Sequence, residues 1–475
     1  MKRDCLMGVM ILALLAACSP AAPIATPIVT PTAAPTQTLA AVVTELPSPT
    51  VVPTARPNVL YVDPTQDMGL ISPYMYGSNY GPWTAVPASM MQEALDSHVT
   101  ALRWPGGSWG EENDVQTYHL DAFVALCKKM GAIPTISVRF QGGTPEGAAA
   151  LVRYANIVQG YHITYWSIGN EPNLELKDGK SIDTVTFNQQ WRAIALAMKA
   201  VDPKIKLMGP EISQWGTDIS KTPKTPPTKP PTGLDRQDWM TDFLKANGDL
   251  VDIVAVHRYP FTAPTDKNPV TVERLRQNTL EWDAMVIYLR DMIHQITGRD
   301  IPIAFTEVNS DTSNVSGGVA SPDTEYNAIW YADVLGRLIQ QNVFMVNHWV
   351  FALTGMGGVS GGLGLLYPGQ VRPTYYVFQM YNQFGSERVF SSSGVRFVTV
   401  YAAKRPDGTL TLMVINLTDN EQQVPLQIQG MQPAQADVWR FDATHNAVDL
   451  GQQAMPADGK VVLPAQSITL YAVGK

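Results

Sequence analysis

Between Ile71 and Phe384, strand-length apolar runs alternate with longer amphipathic segments, and this alternation narrows the fold more than any other feature. The runs are Tyr74–Asn79, Thr100–Trp104, Ile133–Phe140, Thr164–Gly169, Lys206–Met208, Val251–Arg258, Ile303–Glu307 and Met345–Phe351. Helical patterns fill the gaps, among them Asn188–Val201, Asp238–Ala246, Glu273–Ile296 and Tyr326–Gln340. Eight strand–helix units in this order predict an α/β fold, a (β/α)8 TIM barrel. A doubly wound open sheet would favour a Gly-rich first turn, which the sequence lacks.

The polar residues agree with a barrel. Arg103, Arg139, Asn170, Glu171, Glu211, His257, Tyr259, Glu307, Asn347 and Trp349 all fall at or just past the C-terminal end of a predicted strand. That is the face on which barrels build their sites. Two of these residues define a chemistry. Glu171 ends the run Trp166-Ser-Ile-Gly-Asn-Glu-Pro-Asn173, and Glu307 ends Ile301-Pro-Ile-Ala-Phe-Thr-Glu-Val-Asn309. Cleavage of a sugar acetal needs one carboxyl to protonate the leaving oxygen and one to attack the anomeric carbon, about 5–5.5 Å apart for retention of configuration. Ile303 and Phe305 share the parity of Glu307, so packing them in the barrel would send the Glu307 carboxylate into its mouth.

Past Phe384 the period changes to that of short β-strands separated by turns such as Pro406-Asp-Gly408. This predicts a barrel domain over 58–384 and an antiparallel β-sandwich over 385–475, to which Asn58–Val62 can add a strand. The first residues read as a signal peptide over 1–17, with Lys2 and Arg3 before an apolar stretch and Leu15-Ala16-Ala17-Cys18 as its cleavage box. Cys18 is the expected lipidation site, and residues 18–57 form a Pro/Thr-rich tether, so the protein is expected to sit outside the cytoplasm, anchored to a bacterial membrane by lipid. Cys127 lies on an apolar helical stripe and reads as core, which leaves no disulfide within the mature chain. A net charge of -8 without a basic run gives no electrostatic basis for holding nucleic acid. Neither a phosphate-cradling loop nor Cys/His metal spacing is present, so no cofactor or metal is expected. The Pro-rich loop 221–233 is expected to border the site as a flap or spur.

Several motifs resemble one group of proteins. Asn170-Glu171-Pro172 and Thr306-Glu307 look like the acid/base and nucleophile motifs of the retaining glycoside hydrolase clan with (β/α)8 barrels. Leu102-Arg-Trp-Pro-Gly-Gly107, the segment Thr144–Asn156 and the helix Pro373–Tyr381 are most similar to families 39 and 51, which include β-xylosidases and α-L-arabinofuranosidases. Pro172 departs from the usual family 51 pattern. The resemblance implies a carbohydrate substrate, with Glu171 as acid/base and Glu307 as nucleophile. It also puts His257 at the sugar, Tyr259 against the nucleophile, and Trp349 as an aromatic platform. Asn170 is expected to bond the sugar 2-hydroxyl. Arg103 reads either as a cation holding Glu307 ionised or as a structural ion pair, and Glu211 either as a third site carboxylate or as a structural group. Trp104, Trp109 and Trp215 are weaker candidates for further subsites. The rival from another class is a non-catalytic carbohydrate-binding surface lipoprotein on the same scaffold.

Overall fold

The computed structural model describes residues 56–174, 182–216, 236–261, 270–313, 316–353 and 362–474. The expected signal peptide, Cys18, nearly all of the expected tether and the Pro-rich loop 221–233 lie outside them.

Strand β1 (Leu60–Leu70) precedes the barrel. The barrel itself comprises β2 (Gly77–Asn79), β3 (Ala101–Trp104), β4 (Ile133–Val138), β5 (Tyr165–Ile168), β6 (Lys206–Ile212), β7 (Ile253–Arg258), β8 (Ile303–Val308) and β9 (Met345–His348). Each pairs in parallel with the next, and β9 closes on β2 through Gly77↔Asn347 and Ser78↔His348. The seam needs a glycine: a Cβ at Gly77 would lie 2.0 Å from the Asn347 Oδ1 and 2.8 Å from the Val346 carbonyl. The first barrel strand is shorter than the sequence suggests. Pro73 starts a 3-10 turn over Pro73–Tyr76, and the Ser72 side chain accepts the Tyr74 N–H, so extended backbone begins only at Gly77.

Alternate residues of the strands serve two cores. Met208, Ile253, Ala255, Ala304 and Met345 pack together inside the ring. Leu102, Ile136, Val254, Val256, Ile303 and Phe305 belong instead to the large layer beneath the helices. The Phe305 ring, for example, lies 5.6 Å from that of Trp282 on the helix Trp282–Thr297. The parity expectation for β8 is therefore corrected: Ile303 and Phe305 face the helices, and Ala304 and Thr306 face inward. Glu307 turns inward because the pairing shifts register between Val256 and His257 on β7 and between Phe305 and Val308 on β8. A one-residue irregularity re-aims a side chain to the other face of a strand. Cys127 is buried in the helix Thr117–Met130, where the apolar stripe placed it.

The C-terminal strands form a second sheet, in the order β17-β16-β19-β14-β13-β12-β1-β15-β18. Here β12 is Glu387–Ser393, β13 Val398–Lys404, β14 Leu410–Asn416, β15 Gln422–Ile428, β16 Gln435–Asp442, β17 His445–Ala454, β18 Lys460–Leu463 and β19 Ser467–Val473; the hairpin β10 (Leu366–Tyr367) and β11 (Gln370–Val371) stands apart. Strand β1 lies inside this sheet, antiparallel to β12 and parallel to β15. It runs well beyond the short Asn58–Val62 segment, bending at register shifts between Asp63 and Asp67 and between Asp67 and Gly69. One face of the sheet buries Leu60, Val62, Leu412, Val414 and Val473. The other gives Tyr401, Met413, Ile415 and Leu470 to the layer around the barrel. Both faces of β14 are thus covered, which explains its unbroken apolar run.

Candidate active site

Backbone irregularities aim the carboxylates at the C-terminal mouth. Glu307 arrives through the register shift on β8. Glu171 and Glu211 both adopt left-handed backbone, with φ of 46° and 60°. Such geometry in a non-glycine residue costs about 1–3 kcal/mol and persists only where neighbours hold it. Main-chain hydrogen bonds hold it at Glu171. The Glu171 N–H donates to the Glu211 carbonyl at 2.9 Å, and the Leu174 N–H donates to the Glu171 carbonyl at 3.0 Å. A second register shift, between Pro210 and Ile212 on β6, surrounds Glu211.

Arg103 is the hub. Its Nη1 donates to the Glu307 Oε1 at 2.8 Å and to the Asn79 Oδ1 at 3.0 Å, and its Nη2 donates to the Asn170 Oδ1 at 2.8 Å. The same Nη2 lies 3.5 Å from the Glu211 Oε2. The Tyr259 hydroxyl donates to the other Glu307 oxygen at 2.6 Å, so both oxygens of that carboxylate are engaged. His257 lies between the remaining acids: Nδ1 is 3.1 Å from the Glu171 Oε1, and Nε2 is 2.9 Å from the Glu211 Oε2. Glu211 sits below the others with no exposure, accepting the Ser167 hydroxyl at 2.5 Å and the Thr306 hydroxyl. The Glu171 side chain keeps 19% of its surface open, against 5% for Glu307.

The electrostatics follow from this arrangement. Burial opposes a charge on His257, but the Glu307 charge and the hydrogen bonds to Glu171 and Glu211 outweigh it, pushing the imidazole up to about 9. Burial likewise opposes ionisation of Glu211, yet Arg103 and His257 bring it down to about 2. Arg103 is raised despite its own burial, through Glu211 and Glu307. Burial and the adjoining Glu307 charge raise Tyr259 well above the phenol range, so it remains a donor. The mouth therefore holds two cations against three carboxyl groups.

One ligand atom each from Glu171, His257 and Glu307 lies within 4.8 Å of the others, close enough to hold a metal ion. The donor set favours a proton instead. Both His257 nitrogens face carboxylate oxygens, and a metal would have to displace the proton that this pairing holds.

The structure brings Arg103, Asn170, Glu171, Glu211, His257, Tyr259 and Glu307 into this one cluster. Trp349 is half-buried at the rim, its carbonyl accepting the Asn309 side-chain amide at 2.6 Å and its ring 5.9 Å from that of Trp83. Gly107 meets this indole edge-on, for a Cβ there would come within 2.6 Å of the ring. Trp104 and Trp215 are core residues, 2% and 1% exposed, which corrects their reading as subsite candidates. Trp109 is half-buried, 5.8 Å from the ring of His119. Arg139 lies at the edge in an ion pair with Asp114 at 2.8 Å.

Sequence reasoning passed over Asn79, Ser167, Thr306 and Glu111. Asn79 ends the first barrel strand, and the rule that found the others would have found it. Ser167 and Thr306 are small polar residues on the inward face of their strands, a signal that emerges only once parity is known. Glu111 carries no motif. It lies on the short helix Trp109–Glu112, where its Oε2 accepts the N–H of Phe140 at 3.2 Å and of Gln141 at 2.6 Å.

Comparison with known proteins matches this architecture. The α-L-arabinofuranosidase of Thermotoga maritima, solved with arabinose, superposes with a TM-score of 0.69 at 19% identity, covering 87% of this chain and 99% of its own. The family 51 α-L-arabinofuranosidase of Thermotoga petrophila gives 0.68 at 19% identity, over 88% of this chain and 100% of its own. A family 44 xyloglucanase of Paenibacillus polymyxa gives 0.64 at 14% identity, over 88% and 99%. The chain thus shares the fold of these glycoside hydrolases, a closed parallel barrel with a curled antiparallel sheet, as the motif resemblance implied. Residues 396–469 match the family model of the D-apionate lactonase C-terminal immunoglobulin-like domain. No curated protein matches the sequence significantly.

Proposed function

We propose that this protein is a retaining glycosidase that hydrolyses O-glycosidic bonds by double displacement. The observation that carries this reading is the approach of Glu171 and Glu307, one carboxylate oxygen of each lying within 4.8 Å of the other. That close approach supports a carboxylate attacking the sugar itself over the inverting arrangement, whose carboxyls stand about 6.5–9.5 Å apart to admit a water. Glu307 attacks the anomeric carbon. Its two oxygens, bonded by Arg103 and Tyr259, are fixed in place. Glu171, the more open of the two, protonates the departing oxygen and then draws the proton from the water that releases the sugar. Asn170, oriented by Arg103, bonds the 2-hydroxyl, and Trp349 lies under the apolar face of the sugar. Glu211 is enclosed and acts through His257 and Arg103.

The decisive experiment is Glu307→Gly with and without azide, on aryl glycosides of α-L-arabinofuranose, β-xylose, β-glucose and β-galactose. Turnover should vanish, and azide should restore it as a glycosyl azide of inverted configuration. Near-normal hydrolysis by the variant would place the nucleophile elsewhere. No hydrolysis of any glycoside by the native protein, with sugar binding intact, would favour the non-catalytic carbohydrate-binding reading.

The match of residues 396–469 favours one second reading, hydrolysis of a sugar-acid lactone. Lactone opening followed by pH-stat separates the two, since a glycosidase of this design leaves the lactones untouched. The signal sequence supports a lipid-anchored, extracytoplasmic location. Incorporation of a labelled fatty acid that Cys18→Ser abolishes would support the anchor, and equal labelling of the two would refute it.

A further inference from the structure

We propose that Glu111 is a positioning residue for the acid/base, fixing the Gly169-Asn170-Glu171 strand end against the loop that follows β4. The inference rests on the glycosidase reading and adds to it a residue that no catalytic motif contains.

Glu111 is 6% exposed, yet among the described residues it hydrogen-bonds no cation of the catalytic cluster. Its partners are backbone amides. Oε2 takes the N–H groups of Phe140 and Gln141. Oε1 faces the next strand end: a Cβ at Gly169 would lie 3.4 Å from it and 3.0 Å from the Phe140 Cβ. Gly169 has φ of 85°, and its own N–H donates to the Val138 carbonyl at 2.9 Å. The Asn170 N–H points to the same carboxylate and, with the N–H groups of Gln141 and Phe140, stabilises its ionised form against the burial that pushes Glu111 up to about 7. One side chain thus ties the element after β3 to the ends of β4 and β5. The residue it reaches just past β5, Asn170, directly precedes Glu171. A carboxylate enclosed this way serves the backbone it bonds, and the backbone it bonds carries the acid/base.

The bonding pattern selects the test. In Glu111→Gln the amide oxygen can keep both Oε2 bonds, while the amide NH2 then faces the Asn170 N–H, donor against donor. The fold is preserved and the acid/base end alone is disturbed. The readout is kcat for aryl glycosides of one sugar across leaving groups from dinitrophenol to unsubstituted phenol, beside Glu171→Ala as reference. Weak leaving groups depend on acid catalysis, which contributes about 10²–10⁴-fold. We expect Glu111→Gln to slow the phenyl glycoside by about tenfold or more and the dinitrophenyl glycoside by less than about threefold, a muted copy of Glu171→Ala. A uniform loss across leaving groups, or no loss, would overturn the positioning role. If Glu171→Ala itself shows no dependence on the leaving group, the acid/base assignment fails first, and the two failures are distinguishable.

Discussion

The barrel mouth and the C-terminal sheet both bury polar side chains, and they use them in opposite ways. In the sheet most of the buried polar groups serve the main chain: the Thr411 hydroxyl donates to the Ala403 carbonyl at 2.8 Å, and the Asn416 amide donates to the Pro464 carbonyl at 2.7 Å. In the mouth they serve one another, with Arg103, His257, Tyr259 and three carboxylates linked into one network. Bonds to the backbone complete a fold. A network of mutually paired charges is costly to enclose and adds little net stability over apolar packing. Its retention in the mouth therefore points to chemistry, and the sheet reads as support.

Arg103 is where the two regions differ most. Arg103→Met leaves Glu211 and Glu307 enclosed without their shared guanidinium, which should cost about 3–5 kcal/mol in chemical denaturation. It should also lower kcat/KM on the order of 10²–10³-fold, the scale of losing one donor to a reacting group. An active, fully stable variant would refute the network as the organiser of the mouth.

Glu111 gives the barrel a dependence on pH. Burial raises its folded-state value from the ordinary 4.5 to about 7, against the backbone N–H groups and the nearby Arg139 charge. A raised carboxyl value means that its favourable contribution is complete below about 4.5 and is lost as the pH climbs through 7. Relative to Glu111→Gln, the native protein should lose up to about 3 kcal/mol between pH 4 and pH 8. Parallel stability curves for the two proteins would contradict this.

The smallest effect tests the supporting region. Arg276 joins the two regions, donating from Nε to the Leu417 carbonyl at 2.8 Å and from Nη2 to Asp419 at 2.5 Å. Arg276→Met should cost about 1–3 kcal/mol of stability and leave kcat unchanged below the melting transition. A fall in kcat at full folding would show that the sheet does more than support.

Much of this arrangement was legible in the sequence because strand ends announce themselves. An apolar run that stops at Asn170-Glu171 or Thr306-Glu307 needs no coordinates to suggest a display site. What stayed hidden depends on the third dimension. The inward turn of Glu307 comes from a register shift between two strands, which leaves no trace in the pattern of either. Glu111 bonds the backbone of residues about 30 positions away, and backbone amides have no letter in the sequence. The same limit applies to β1, since Asp63 to Gly69 is polar and irregular and becomes a strand only by bending along β12.

Strand β1 has one more consequence. Because it lies between β12 and β15, the barrel is threaded into the smaller region between that region's first strand and the rest of it. In chain order β1 comes before the whole ring, and its partners β12 and β15 come after it. The second sheet therefore cannot be completed without segments from both sides of the ring, and a polypeptide stopped at the end of the ring would carry an unclaimed strand at its start.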